Sequence, residues 1–142
     1  MTAVMTLTLF GEGPTSSEVE ITSYGVLRGH PEGDAYVVDV SNALRNPHED
    51  PRMRYMTALD PEVYAHVMLT PGALDLAAWT AARLLAMVRI GDGAPVRAYF
   101  ACRGGRHRAP SLAWSVALTL WREGITVHVT HRDIDKPVIQ RV

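Results

Sequence analysis

The sequence predicts a single α/β domain of three layers, with a mostly parallel sheet of about four to five strands and helices on both faces. Three observations predict it. Short apolar, β-branched runs alternate along the chain with segments of helical period, and that order builds a parallel sheet covered by helices. Glycine, proline and Asn-Pro punctuation falls between those segments. The 142 residues are 47% hydrophobic and 20% charged, enough for one core and unlike a disordered chain.

Each element has its own signal. Met1 to Phe10 is apolar and threonine-rich, with no basic region and no small-residue cleavage site. It reads as a lead or an extra strand rather than a signal peptide. The glycine, proline and serine of Gly11 to Ser17 divide residues 1–17 from a main domain over 18–142. Val19 to Tyr24 alternates as a strand does. Gly25 to Gly33 is a loop, and Tyr36 to Val40 is a nearly continuous apolar run, predicted as a strand buried on both faces. Ser41 to Asp60 is a long polar stretch containing Asn46-Pro47 and Pro51. Loops of that length inside a small domain are usually functional or mobile.

Asp60-Pro61 pairs a capping carboxylate with proline at the first helical position, which predicts a helix to about Leu69. Pro71-Gly72 stops it. Leu74, Ala77, Ala81, Leu84, Leu85 and Val88 then recur at helical spacing, predicting a long amphipathic helix to about Ile90. Val96 to Ala101 is a strand and Cys102 to Arg108 a glycine-bearing loop. Pro110 to Glu123 is a helix with Leu112, Val116 and Leu120 on one stripe and Gly124 as its stop. Ile125 to Val129 alternates as a last strand.

Composition narrows the function. There are 14 Lys+Arg against 15 Asp+Glu, a net charge of −1, which argues against a strongly basic nucleic-acid module. Cys102 is the one cysteine, so no internal disulfide forms and a reducing cytoplasm is expected. No run approaches the roughly 18 apolar residues of a membrane span, so no membrane partner is expected.

In a parallel sheet, ligands bind beyond the carboxyl ends of the strands. Three such ends carry polar residues: Asp39 with the loop to His48, Cys102 to Arg108, and His131-Arg132-Asp133. The middle one carries the chemistry. A strand leads into Arg103-Gly104-Gly105-Arg106-His107-Arg108, a helix leads out, and no acidic residue intervenes. Glycine lets the backbone turn its N–H groups inward, and the helix adds its free N-terminal amides. Guanidinium matches phosphate oxygens bidentately, so the loop is predicted to hold a phosphate. His48, on the stiff corner of Asn46-Pro47, is a candidate ligand contact.

Two other readings stay open. Cys102 to Arg108 has the Cys-x5-Arg spacing of cysteine-dependent phosphatases, in which Cys102 is the nucleophile and Arg108 holds the phosphate oxygens. Asp39, Asp50 and Asp133 are then candidate acids. An RNA-binding adaptor using the loop arginines is the third. His131-Arg132-Asp133 matches the kinase catalytic triplet, but no nucleotide loop or Asp-Phe-Gly accompanies it. An Arg132–Asp133 pair lining the pocket is expected instead. His48, His107, His131 and Asp39 lack the local spacing of metal ligands, so neither metal nor cofactor is expected. Trp79, Trp114 and Trp121 are assigned to core or interface.

From about Val19 to Asp133 the chain resembles the C-terminal domain of the RapZ family. The markers are Ile21-Thr22-Ser23-Tyr24-Gly25, Val38-Asp39-Val40 with Asn46-Pro47-His48, Met56-Thr57-Ala58-Leu59-Asp60, Cys102-Arg103-Gly104-Gly105-Arg106-His107-Arg108, and His131-Arg132-Asp133-Ile134. Such pieces in one order at similar spacing are fairly specific. The resemblance implies a fold similar to a phosphofructokinase subdomain. It implies a non-enzymatic regulatory domain that binds glucosamine 6-phosphate, an RNA or protein partner in full-length proteins, and self-association. It places ligand contacts on Asp39, His48, Arg103, Gly104, Gly105, His107 and Arg108. The family's Gly-x4-Gly-Lys-Ser/Thr nucleotide motif is absent from this sequence. Ser41, Ala58, Arg103 and Ala109 depart from the family's usual arginine, glycine, threonine and serine, and the tail after Arg132 carries only Lys136 and Arg141 as cations.

Overall fold

The computed structural model describes residues 5–13 and 18–140. The strands are β1 (Met5–Leu9), β2 (Glu18–Gly25), β3 (Tyr36–Asp39), β4 (Val96–Cys102) and β5 (Thr126–His131). The helices are α1 (Pro61–Met68), α2 (Ala73–Ile90) and α3 (Arg108–Arg122). The strands form one sheet in the order β1-β5-β2-β4-β3. β2 to β5 are mutually parallel, and β1 runs antiparallel to β5 with Met5 opposite His131. The described part of the lead is therefore an added edge strand. The rest of the predicted turn, from Pro14 to Ser17, lies outside the described residues.

Alternation decides which face of the sheet is covered. In β2, Val19, Ile21 and Ser23 are buried on one side, and in β5 Val127, Val129 and His131 are. α3 packs on that side across β2, β4 and β5, with α2 alongside it and α1 against both helices. Leu112, Val116 and Leu120 of α3 are fully buried there, as the stripe predicts. The other face is covered differently. Where helices on both faces are expected, the three α-helices share one face, and the third layer is the β2–β3 connection. It contains only a 3-10 turn, Val26–Arg28. Val26 and Ala35 pack there on Tyr24, Tyr99 and Ala101. Residues 26–35 are too few to hold a helix of several turns and still cross the sheet.

Two expectations change at the edges. β3 is the last strand of the sheet, so it is not buried on both faces, and Val37 is 51% exposed. In α2 the buried row is Ala73, Ala77, Thr80, Ala81 and Leu84, while Leu74 is 61% exposed. The helix starts behave as read: Asp60 accepts a hydrogen bond from the Glu62 amide at 2.9 Å. α3 begins two residues early, so Arg108 lies inside the helix. Gly124 ends it at φ 88° and receives the lead, with the Gly13 amide donating to its carbonyl at 2.8 Å. No helix among the described residues is long and apolar enough to cross a membrane.

Because β2 to β5 are parallel, Gly25, Asp39, Cys102 and His131 all end on one edge. The loops leaving that edge build the site.

Candidate functional site

A cavity of about 470 Å³ opens at this edge. Its floor is the stretch Cys102 to Arg108. Asn46 and His48 form one wall, and Leu27 with Val138, Ile139 and Gln140 forms another. Six of the sequence-predicted residues therefore meet: His48, Arg103, Gly104, Gly105, His107 and Arg108, with Cys102 beside them. Asp39 is not brought in. It stands exposed at the end of β3, and its Oδ1 accepts from the Ser41 amide at 2.9 Å and from the Ser41 hydroxyl.

The loop is held open from behind. Gly105 has φ 79°, and a Cβ there would sit 2.6 Å from the Gly25 amide nitrogen and 2.8 Å from Asp133 Cβ. Only glycine fits so close an approach in that conformation. Gly104 faces the other way, with nothing within 4 Å of an added Cβ. The backbone N–H groups of Gly104, Gly105, Arg106 and His107 find no acceptor among the described residues. Unpaired amides in succession, ahead of a helix N-terminus, are the ordinary construction of an anion site.

The side chains divide the work unevenly. Arg103 is exposed at the mouth. Arg106 donates from Nη1 to the Ile134 and Lys136 carbonyls, and from Nη2 to the Tyr55 carbonyl at 2.9 Å and the Met56 carbonyl. Burial pushes its pKa down, with Arg28 adding repulsion. Arg108 is buried and its Nη1 donates to the carbonyls of Val40, Ser41 and Ala43, the nearest at 2.8 Å. These two arginines therefore lace the long loop and the tail to the sheet edge. Their charge reaches the cavity while part of their hydrogen bonding is spent on the frame.

His107 is buried with Nε2 2.8 Å from the Met56 carbonyl oxygen. Burial pushes its pKa down to about 4, against the Met56 hydrogen bond and with help from Arg106, His48 and Arg108. It is neutral at pH 7. A carbonyl only accepts, so Nε2 carries the proton and Nδ1 is left as an acceptor. His107 is thus suited to a hydroxyl or amino group rather than to a phosphate oxygen.

Asp133 does not line the cavity with Arg132. It is fully buried behind the loop, where Oδ2 accepts from the Gly25 amide at 2.8 Å and from Arg132 Nη2 at 2.7 Å. Lys136 Nζ donates to Oδ1. Burial alone would raise this carboxyl, but Arg132, the Gly25 amide and Lys136 hold it below the usual range. Sequence reasoning also missed the far wall. Arg28 donates to the Gly104 carbonyl through Nε and to the Pro137 carbonyl through Nη2, which ties the tail across the cavity. No local pattern announces that contact. Of the remaining candidates, His131 is turned to Ser23 Oγ at 2.7 Å, and Asp50 accepts from the Arg52 amide. No group of three or more metal-ligating side chains occurs among the described residues.

Comparison with known proteins gives the family of the chain. The family model described as the RapZ C-terminal domain matches residues 17–135, from the start of β2 past Asp133. A nucleotide-binding protein of Sphingopyxis alaskensis is 36% identical over 130 residues, covering 89% of this chain and 41% of that protein. One of Bifidobacterium adolescentis is 35% identical over 131 residues, covering 90% of this chain and 42% of that protein. One of Limosilactobacillus fermentum is 34% identical over 122 residues, covering 83% and 42%. The chain thus spans well under half the length of these curated relatives. The glycine loop, the strand edge that presents it and the match across both place the chain in the RapZ C-terminal domain family.

Proposed function

We propose that the cavity binds the phosphate of a small phosphorylated ligand, a sugar phosphate of the glucosamine 6-phosphate type. The domain would be cytoplasmic and regulatory, signalling occupancy to a macromolecular partner without chemistry of its own. The observation that carries this reading is the run of unpaired amides from Gly104 to His107 on the cavity floor. Arg103 at the mouth and the buried guanidinium of Arg108 supply positive potential. Neutral His107 on the floor, and His48 on the wall above it, would read hydroxyl or amino groups of the sugar. Family membership supports the sugar phosphate over a free anion.

Calorimetry tests it, using glucosamine 6-phosphate, glucose 6-phosphate, unphosphorylated glucosamine and a nucleotide. Saturable heat with the hexose phosphates and none with glucosamine is expected. Arg103→Ala should weaken binding about 10- to 100-fold, the loss of one charge-assisted hydrogen bond. Absence of heat from every phosphate overturns the reading. Release of phosphate abolished by Cys102→Ser would replace it with the Cys-x5-Arg phosphatase.

A further inference from the structure

A second cavity, of about 350 Å³, lies on the helix side of the sheet between β1, α1 and α3. Leu7 of β1, Leu59 ahead of α1, Tyr64 of α1, and Pro110 and Trp114 of α3 line it, with His131 at the end of β5. Pro110 and Trp114 stand four residues apart and so share one helix face. The cavity has no lining residue in common with the strand-end cavity, and its lining holds no acid and no base other than His131. Met56 to Leu59 runs between the two: the Met56 carbonyl accepts from His107 on one side, and Leu59 lines the other. The His131 ring is the informative group. It is 3% exposed, and its Nδ1 lies 2.7 Å from Ser23 Oγ. The Ser23 hydroxyl is fully buried and has no other partner among the described residues. Its proton therefore goes to Nδ1, and the neutral ring carries its own proton on Nε2. Burial pushes the ring's pKa down to about 4, so it is neutral at pH 7. Nε2 has no partner among the described residues and is not sealed by protein atoms. With Nδ1 turned to β2, Nε2 is the ring nitrogen that opens on the cavity.

We infer that this cavity is a separate ligand site, which takes an uncharged small molecule whose apolar body lies among Trp114, Tyr64 and Leu59 and whose carbonyl oxygen accepts from His131 Nε2. Its volume is at the low end of small-molecule sites, about 300–1,000 Å³. Two features select the chemistry. A buried donor facing an apolar space is costly without an acceptor, and a ligand oxygen removes that cost. A lining without a cation disfavours a carboxylate or a phosphate, because the anion would lose its water and gain no counter-charge. A ketone, amide or ester oxygen accepts a hydrogen bond without bringing charge. The rings of Trp114 and Tyr64 suit a planar body. The site is on the far side of Met56 to Leu59 from the phosphate cavity, so it stands or falls independently of what that cavity binds.

The experiment is an NMR titration of the full 142-residue chain, labelled with ¹⁵N, using three probes of one shape. Acetophenone carries the carbonyl, α-methylstyrene has a methylene in its place, and benzoate carries a charge. Acetophenone should bind with a dissociation constant of about 1 mM. It should shift the Trp114 indole N–H and move the His131 Nε2 proton downfield. α-Methylstyrene should bind at least about fivefold more weakly, for want of one hydrogen bond, and benzoate should not bind. His131→Phe should erase the preference between the two neutral probes. Leu59 is 53% exposed, so a larger side chain fits there without disturbing the core. Leu59→Trp should crowd the cavity and weaken both neutral probes at least about tenfold, and it keeps the test open if His131→Phe does not fold. Absence of binding by either neutral probe overturns the proposal and leaves this lining to a side chain of a partner protein. Equal affinities of the wild-type chain for the two, or a preference that survives His131→Phe, overturn it as well. So do shifts centred on Gly104 to His107, which would place the probes in the other cavity.

Discussion

At the scale of single residues, the three arginines of the glycine loop have three different jobs, although the sequence presents them alike. Arg106 holds four backbone carbonyls and Arg108 three, whereas Arg103 stands at the cavity mouth. Removing Arg106 leaves four carbonyls, three of them in part-buried bonds, without their donor and frees two segments. Arg106→Ala should therefore cost about 2–4 kcal/mol of stability, while Arg103→Ala should stay within about 0.5 kcal/mol. Urea denaturation of the two variants checks the contrast, and equal losses would contradict this division. The histidines give a second reading of the same kind. His107 and His131 are both pushed down to about 4 by burial, so their ring protons should show no titration by NMR above about pH 5.5.

At the scale of elements, the loop between β4 and α3 is shaped by what lies behind it. Gly25 and Gly105 touch back to back, and Asp133 locks the Gly25 amide from the same side. Gly105→Ala forces a Cβ into Gly25 and Asp133 at a positive φ, and should cost more than about 2 kcal/mol. Gly104→Ala meets open space and should leave the melting temperature within a few degrees. A thermal scan distinguishes them, and a tolerated Gly105→Ala would mean that the loop is not braced as described. The strand, the helix and the loop between them were legible because each signal is local. The 3.6-residue stripe of Leu112, Val116 and Leu120, the Asp60-Pro61 cap and the Gly124 stop need no knowledge of the rest of the chain. The order of strands is not local. Nothing in Tyr36 to Val40 says that β3 is an edge, because an apolar run looks the same whether one or two neighbours flank it. The role of Asp133 was hidden for the same reason. Its partners are Gly25, far back in the chain, and the nearby Arg132 and Lys136, and only the last two are local in sequence. Asp39 lies outside the cavity lining, and Ser41 two residues on offers it an amide and a hydroxyl, a local pairing of the kind aspartates commonly make.

At the scale of the whole molecule, the site edge and the helix layer are tied together by groups that must keep their charge state. His131 is buried at the end of β5 against Ser23 of β2, His107 at the start of α3 against the long loop, and Asp133 beneath both glycines. Their responses to acid have the same sign. Each histidine has a folded pKa of about 4 against an ordinary value of 6.5. Between those values the unfolded chain binds the proton and the folded chain does not. Stability therefore falls as pH drops from 6.5 towards 4, and the full loss is on the order of 3 kcal/mol per histidine. Asp133 is held below its ordinary carboxylate value, so its contribution is present above that value and is lost at still lower pH. Against a typical domain stability of about 5–15 kcal/mol, the two histidines alone account for a large fraction. Urea midpoints should change little from about pH 8 to 7 and then fall steeply. Near pH 5 the slope should correspond to about two protons taken up on unfolding. His107→Gln keeps a donor for the Met56 carbonyl but cannot titrate, and should reduce that uptake by about one proton. A flat profile from about pH 7 to 4.5 would mean that both rings are open to water, and the frame proposed for the cavity would then have to be redrawn.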